Sequence, residues 1–196
     1  MPIVTVDVAY DAYVDFYDAS YLRYFNTSGL LVGYWQEKGV ANHHYRSALR
    51  FPLTDLPADK TVTQIRLKVH VLIAGGETHL TDVHPYNGDG QADPEADTDA
   101  NFYSRCASGG AYVDDSTAFR TIGDTWFVLG AQACTDVANA KAAVDRFSVG
   151  LHEEGDNDAN ATLEALEHVD PNHAQLEITY EEEAPPPSGG VLVQIM

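Results

Sequence analysis

The residues of this sequence that are best suited to chemistry lie in an acidic stretch from Asn87 to Asn101. Carboxylate and amide side chains recur there at short intervals, and Gly88 and Gly90 permit sharp turns between them. Oxygen ligands of this kind select hard cations such as Ca²⁺, although the spacing differs from that of an EF-hand loop. Two interpretations are open, a single structural Ca²⁺ site and a solvated acidic loop. The candidate ligands are Asn87, Asp89, Asp93, Asp97 and Asp99, and a second, smaller set is Asp156, Asn157 and Asp158.

Aromatic side chains offer a second kind of chemistry, because their faces can stack on the rings of sugars. The alternative for each of them is a place in the hydrophobic core. The candidate stacking residues are Tyr34, Trp35, Tyr86, Tyr103 and Trp126. A denser aromatic group between Tyr10 and Phe25 can also line a carbohydrate platform, but in a β-sandwich we expect these side chains to fill the core.

Motifs for catalysis are missing from the sequence. It contains no nucleophile elbow, no zinc-protease helix motif, no phosphate-binding loop and no C-x-x-C pair. Its eight histidines follow no recognised ligand spacing, so we expect them at the surface or hydrogen-bonded within connections. The alternative is a metal site in which carboxylates join His43, His44, His79 and His84. Cys106 and Cys134 are expected to be free thiols, with a disulfide as the alternative. We therefore predict no enzymatic activity and no cofactor beyond the calcium ion considered above.

Length and charge limit the classes of function. A chain of 196 residues can bury one substantial core, so we expect a single domain with tails. The sequence has 30 acidic and 11 basic residues, and its formal net charge of −19 would repel a phosphate backbone and an anionic membrane surface. We therefore predict no binding to nucleic acid or to membranes. The sequence has neither a secretory signal nor an apolar run of about 18 residues, so we expect synthesis in the host cytoplasm without export.

Two strand patterns joined by a connector lie between His44 and Val71. Side chains alternate between two faces from Tyr45 to Phe51 and again from Ile65 to Val71, as in a sheet with one buried face. The segment between them contains Pro57, interrupts both alternations and is too long for a two-residue hairpin turn. We predict that this connector carries the chain from one sheet of a sandwich to the other.

A family resemblance lies in the same stretch. The core pattern of the DNRLRE-type β-sandwich domains is similar to Arg46-Ser-Ala-Leu-Arg-Phe-Pro-Leu-Thr-Asp-Leu-Pro57 followed by Val62-Thr-Gln-Ile-Arg-Leu-Lys-Val69. The opening of that family resembles Asp11-Ala-Tyr-Val14 and Leu30-Leu-Val-Gly-Tyr34. The resemblance extends over roughly residues 7–180 and implies a jelly-roll module of the kind found in bacterial surface proteins, related to carbohydrate-binding modules.

The rest of the chain predicts short strands, one long loop and one helix. The predicted strands are residues 3–17, Leu30–Trp35, Thr78–Pro85, Phe102–Arg105, Tyr112–Val113, Trp126–Gly130, Phe147–Leu151 and Gln175–Tyr180. Residues 87–101 lack apolar periodicity and predict a long surface loop, and Thr135–Val144 predicts the only good helix, with Thr135 as its N-cap. The predicted fold is all-β, a jelly-roll-like antiparallel β-sandwich with one short helix and a C-terminal tail.

The composition changes sharply at the end of the predicted domain, which we place at residues 1–182. Residues 183–190 form a charged, proline- and glycine-rich linker, and residues 191–196 form an apolar, β-prone segment. Such a segment is an edge-pairing hazard if it is left free in water, so we expect it to dock on a partner, with folding back onto its own domain as the alternative. The predicted docking residues are Val191, Leu192, Val193, Ile195 and Met196.

Two functional hypotheses follow from these features. The first is a non-catalytic virion protein, a capsid decoration protein or fibre component of a bacteriophage or virus, exposed on the particle and anchored through its termini to other capsid or tail proteins or to copies of itself. The second is a carbohydrate-binding module or adhesin that stacks host surface glycans on exposed aromatic side chains. The two are compatible, because a decoration protein can also bind glycans.

Overall fold

The protein is an all-β sandwich with two short α-helices, which confirms the predicted fold class. The computed structural model describes residues 1–25, 29–36, 42–73, 80–117, 121–153 and 165–182, with backbone alone for residues 34–36, 42, 73 and 165–173. The strands are β1 Ile3–Asp7, β2 Tyr10–Tyr17, β3 Ser20–Phe25, β4 Leu30–Gln36, β5 Asn42–Pro52, β6 Thr61–Ile73, β7 Thr81–Pro85, β8 Val113–Ser116, β9 Gly123–Leu129, β10 Arg146–Glu153 and β11 Ala165–Glu181. The helices are α1 Asp99–Cys106 and α2 Ala131–Ala143.

Two antiparallel sheets form the sandwich. Sheet I has the strand order β3-β2-β5-β10-β7-β8, and sheet II has the order β9-β6-β11-β1. Strand β4 joins the two sheets at one corner, because it pairs with β11 along Leu30–Tyr34 and with β5 along Gly33–Gln36. From β5 to β11, every connection except β7 to β8 crosses between the sheets, so the chain winds around the core in a jelly-roll-like manner.

The main core lies between the inner faces of the two sheets. Period-two alternation sends every second side chain of each strand into this layer. The fully buried inner residues include Leu49, Phe51, Phe147, Val149 and Leu151 of sheet I and Ile65, Leu67, Val69, Leu176 and Ile178 of sheet II.

The predicted connector between β5 and β6 crosses from sheet I to sheet II, because β5 lies in sheet I and β6 in sheet II. Helix α2 holds the first residue of this connector in place, since the Lys141 ammonium donates a hydrogen bond to the Leu53 carbonyl at 2.9 Å.

A second apolar cluster covers the outer face of sheet I beneath α1. It consists of Tyr10, Ala12, Val14, Ala48, Tyr86, Phe102 and Cys106. Two predictions for the segment that supplies this cluster are wrong: residues 87–101 are not one long loop, and residues 102–105 are not a strand. Two single-turn 3₁₀ helices and the start of α1 occupy the stretch, and residues 102–105 are helical. Phe102 and Cys106, one helical turn apart, are buried on the same side of α1, and the Thr98 side chain accepts a hydrogen bond from the Asn101 N–H at the helix start.

The second helix differs from its prediction in its start. It begins at Ala131, four residues before Thr135, and Gly130 takes the N-cap position. Thr135 therefore lies inside the helix, where its hydroxyl donates to the Ala131 carbonyl at 3.5 Å. Both cysteines are free thiols, as expected, and burial raises the pKa of the Cys134 thiol. None of the helices in the described part of the chain is long and apolar enough to cross a membrane.

The contact between α1 and sheet I depends on Gly150 of β10. A Cβ atom at this position would overlap the carbonyl oxygen and Cα of Cys106, which are backbone atoms that cannot rotate away. We therefore expect Gly150→Ala to lower the free energy of unfolding by about 3 kcal/mol, measured by urea denaturation. Gly110→Ala is the matched control, because a Cβ there meets nothing within 4 Å. Equal stability of the two variants would contradict this packing.

Candidate functional site

The most conspicuous cluster of polar and aromatic groups lies on the inner face of sheet I, where β3, β2 and the first half of β5 run side by side. The antiparallel register places Tyr13 opposite Tyr24 of β3, and Asp15 opposite Tyr45 of β5. Since cross-strand partners and residues two apart share a face, these side chains point to one side of the sheet. We name this surface the tyrosine face and define it by Tyr13, Asp15, Tyr17, Tyr24, His43 and Tyr45.

The rings of the tyrosine face form two stacked groups. Tyr13 and Tyr24 stack with ring centroids 4.9 Å apart and an interplanar angle of 18°. Tyr17 and His43 stack at 4.3 Å, and the Tyr45 ring lies 5.9 Å from His43 and almost parallel to it, at 7°. Tyr13 meets Tyr45 edge-on at 6.1 Å and so links the two groups. These separations are those of favourable aromatic pairs, so each ring fixes the orientation of the next.

Asp15 is the acidic group of this surface. It is 7% exposed, and its two carboxylate oxygens lie 2.9 and 3.1 Å from Nδ1 of His43. A carboxylate can only accept, so the His43 Nδ1–H donates this hydrogen bond and the tautomer of the imidazole is fixed. Burying a carboxylate without such a donor would be costly, so the hydrogen bond from His43 is needed for Asp15 to be buried at this position.

The solvent exposure of the tyrosine side chains decreases across the tyrosine face from β3 to β5. Tyr24 is 41% exposed on β3, Tyr13 and Tyr17 are half-buried, and Tyr45 is buried. Burial, followed by the neighbouring charge of Asp15 and then by Tyr13 and Tyr24, raises the pKa of Tyr45 far above its usual value. Burial also raises the pKa of Tyr13, with Tyr24 and Asp15 adding to the effect. The surface therefore combines uncharged hydroxyls, one carboxylate and ring faces that reach solvent at Tyr24.

The aromatic residues predicted to stack on sugars differ in their exposure and their position in the structure. Tyr86 is fully buried and its hydroxyl donates to Asp97 at 2.6 Å, so its assignment to a glycan surface is wrong. Tyr103 is half-buried on α1, with the Arg46 guanidinium 4.1 Å from its ring centre. Trp126 is 38% exposed on β9 of sheet II, where the Arg66 guanidinium lies 4.2 Å from its ring centre.

Three further sets of predicted residues are less fully described. The backbones of Tyr34 and Trp35 pair with β5 opposite His44 and His43, beside the tyrosine face, but their side chains lie outside the described part of the structure. The predicted docking segment 191–196 and its linker lie outside the described residues, as do the smaller acidic set at 156–158.

The predicted calcium ligands are not brought together. Arginine side chains from other elements pair with three of them: Asp93 with Arg50, Asp97 with Arg105, and Asp99 with Arg23 at 3.2 Å. The Asp89 carboxylate accepts from the Gln91 N–H, and Asn87 is exposed with φ +59°. Within the described ranges, no three carboxylates of this stretch place oxygens within 4.8 Å of one another. The acidic stretch is thus held to sheet I by ion pairs, which sequence spacing alone does not reveal.

Sequence reasoning recognised the aromatic density between residues 10 and 25 but assigned it to the core. The two faces of the β2–β3 hairpin in fact differ. One face packs under α1, and the other carries Tyr13, Tyr17 and Tyr24. The available signal was the period-two spacing of Tyr13, Asp15 and Tyr17, which places a carboxylate between two tyrosines on a single face. The missing information was that Ser20–Phe25 forms a paired strand.

Ionisation of Tyr45 provides a test of this geometry. The unfolded chain releases the tyrosine proton near pH 10, whereas the folded chain retains it, so the stabilisation is present below about pH 10 and is lost as the pH rises further. The free energy of unfolding should therefore fall between about pH 8 and pH 11 in the wild type, and we expect this fall to be about 1 kcal/mol smaller in Tyr45→Phe. Urea denaturation at both pH values measures this, and the pH 8 value corrects for the lost hydroxyl. Identical pH slopes would show that Tyr45 is not buried beside Asp15.

Comparisons with known proteins do not place this chain in a family. No protein-family model matches it, and no curated protein matches its sequence. The geometry of the described residues is therefore the basis for assigning a function.

Proposed function

We propose that this protein is a non-catalytic binding protein that holds carbohydrate on the tyrosine face. The observation that carries the proposal is the grouping of four tyrosines, one histidine and one carboxylate on a single sheet surface, with Tyr24 exposed at its edge. The sequence also resembles the DNRLRE-type jelly rolls, which are related to carbohydrate-binding modules, and this resemblance is compatible with the proposal.

Sugar rings match this surface in two ways. Their C–H faces stack on exposed aromatic rings, for which Tyr24, backed by Tyr13, is the platform. Their hydroxyl groups both donate and accept hydrogen bonds, which suits the Asp15 carboxylate and the tyrosine hydroxyls. A rigid aromatic platform with a small number of fixed polar groups needs little reorganisation on binding.

The charge of the protein narrows the class of carbohydrate. A net charge of −19 repels sulfated and uronic-acid polymers, whereas neutral and amino sugars are not repelled. Asp15 places one of these negative charges within the site itself. We therefore propose glycans built from neutral or amino sugars, such as those of a host cell surface, as the ligands.

A second candidate function, assembly into a virion as a decoration or fibre protein, is favoured by strand β3. Among the described residues, β3 pairs only with β2, so no described strand pairs with its other edge. This edge carries Leu22, 53% exposed, and Phe25, 61% exposed. Apolar side chains on an open edge strand are a suitable surface for strand addition by a neighbouring subunit. The apolar segment 191–196 is one candidate for the added strand.

Carbohydrate binding is tested with neighbouring substitutions on β3. Tyr24 lies on the tyrosine face, and Phe25 lies on the opposite face of the same strand. We expect Tyr24→Ala to weaken binding about ten-fold or more, and Phe25→Ala to leave it unchanged. A printed array of neutral, amino and sulfated oligosaccharides identifies the ligand, and isothermal titration measures the affinity. Failure of the wild type to bind any oligosaccharide, or equal losses in both variants, would refute carbohydrate binding at this face.

Assembly is tested by the solution mass of the full chain, measured by light scattering after size exclusion. If β3 is the assembly edge, the wild type associates, and Leu22→Lys with Phe25→Lys reduces it to the monomer, because lysine blocks edge pairing. Val128→Lys on β9, the exposed edge of sheet II, is the control and should leave the mass unchanged. A chain ending at Glu183 tests whether the terminal segment is the added strand. A monomeric wild type would contradict self-assembly.

A further inference from the structure

Three polar side chains meet on the outer face of sheet I at the opposite end of the sheet from β3. Asp82 and His84 are two residues apart on β7, so they point to the same side. The register pairs His152 of β10 with Asp82, and it pairs Gly150 with His84. The imidazoles of His84 and His152 are consequently diagonal neighbours, and they stack with ring centroids 5.1 Å apart and an interplanar angle of 8°.

All three side chains are buried, at 5% exposure for Asp82, 8% for His84 and 7% for His152. This burial corrects the expectation that the histidines lie at the surface or in connections. Among the described residues, neither ring nitrogen of His84 has a hydrogen-bond partner, and its Nε2 lies 3.7 Å from Oδ2 of Asp82, beyond hydrogen-bonding distance. A buried imidazole without partners is costly, and in native proteins such a group is normally satisfied by a protein group, an ordered water or an ion.

Hydrogen bonds to the backbone orient the two other members of the cluster. His152 Nδ1 lies 2.7 Å from the Glu153 carbonyl oxygen, which can only accept, so the proton is on Nδ1 and Nε2 carries the lone pair in the neutral ring. That Nε2 lies 3.9 Å from Asp82 Oδ2. The other oxygen of Asp82 accepts from the Asp115 N–H at 2.9 Å.

We propose that Asp82, His84 and His152 bind one divalent transition-metal ion, with Zn²⁺ as the preferred occupant. The candidate ligand atoms of the three residues all lie within 4.8 Å of one another. Ligands at 2.0–2.1 Å from a tetrahedral Zn²⁺ are about 3.4 Å apart. Oδ2 of Asp82 lies 3.7 Å from His84 Nε2 and 3.9 Å from His152 Nε2, so these two separations are close to the required value, and the two imidazoles must also move together from within 4.8 Å. Two imidazoles and one carboxylate suit zinc or another borderline divalent ion, whereas Ca²⁺ takes oxygen ligands alone.

The surroundings supply both a second layer of contacts and a path for the ion. The Glu153 carbonyl orients His152, and the Asp115 N–H orients Asp82, as second contacts do in established metal sites. The exposed carboxylates of Asp114 and Asp115 on β8 also come within 4.8 Å of the Asp82 carboxylate. They form an acidic entrance from solvent and offer a further oxygen ligand. The bound ion would clamp β7 to β10, next to the edge strand β8.

The test is metal binding by the full chain, stripped with a chelator and then titrated with ZnCl₂. We expect one Zn²⁺ per chain by native mass spectrometry and isothermal titration, and a rise in the melting temperature that the chelator reverses. CoCl₂ serves as a second probe, because tetrahedral Co²⁺ absorbs visible light. His84→Ala should weaken zinc binding about 100-fold or more, and Asp82→Asn should act in the same direction.

The matched control is His70→Ala. His70 also lies beside an aspartate, with its Nδ1 2.7 Å from Asp124, but on the half-exposed outer face of sheet II. The His70→Ala variant should bind zinc with the same affinity as the wild type. Circular dichroism of the metal-free variants establishes that each is folded, and His152→Ala replaces His84→Ala if the latter does not fold. The proposal is overturned if the wild type binds no stoichiometric zinc, or if the His84 and His70 variants bind equally. Because the assay uses no glycan, its outcome is independent of carbohydrate binding.

Discussion

The arrangement of this molecule depends on the pairing of β5 along both of its edges. Strand β2 lies on one edge from His44 to Arg50, and β4 and then β10 share the other edge. An 11-residue strand held in this way cannot shift register without turning every buried side chain outward. One half of its inner face, with Leu49 and Phe51, builds the core, and the other half, with His43 and Tyr45, builds the tyrosine face. Through β10, the same strand also fixes the position of β7.

Electrostatics explains how an acidic segment can pack against an acidic protein. Only 11 basic residues oppose 30 acidic ones, and four arginines contact the segment between residues 93 and 99. These are Arg23, Arg50, Arg105 and Arg146. The Asp97 side chain is only 8% exposed, and Arg105 and the Tyr86 hydroxyl both contact its carboxylate, so this group is fixed more firmly than a surface carboxylate would be. Arg23, Arg50 and Arg146 lie on strands of sheet I, so their ion pairs hold the acidic segment and the start of α1 against its outer face.

Sequence patterns predicted the parts of the structure that are encoded locally. Alternation located β5, β6, β10 and the second half of β11, and the connector at Pro57 predicted the crossing between sheets. Helix α1 was missed because it is only eight residues long and buries two side chains, Phe102 and Cys106, so its apolar periodicity is too short to recognise. Strand β3 was missed because its aromatic residues were assigned to the core. Neither site was predictable in full, since each depends on which strands become neighbours and in what register.

The two candidate sites lie on opposite faces of sheet I, and this separates their roles. The nearest strands of the two sites, β5 and β10, are neighbours, but Tyr24 on β3 and His84 on β7 are separated by four strand spacings, about 19 Å. No side chain belongs to both, because alternation sends Tyr45 inward and His152 outward. Effects at sites this far apart and without shared partners are normally additive. An ion at His84 would therefore stabilise the β7–β8 edge, while recognition at Tyr24 depends on the β2–β3 edge, so one sheet can carry a stabilising function and a binding function without compromise between them.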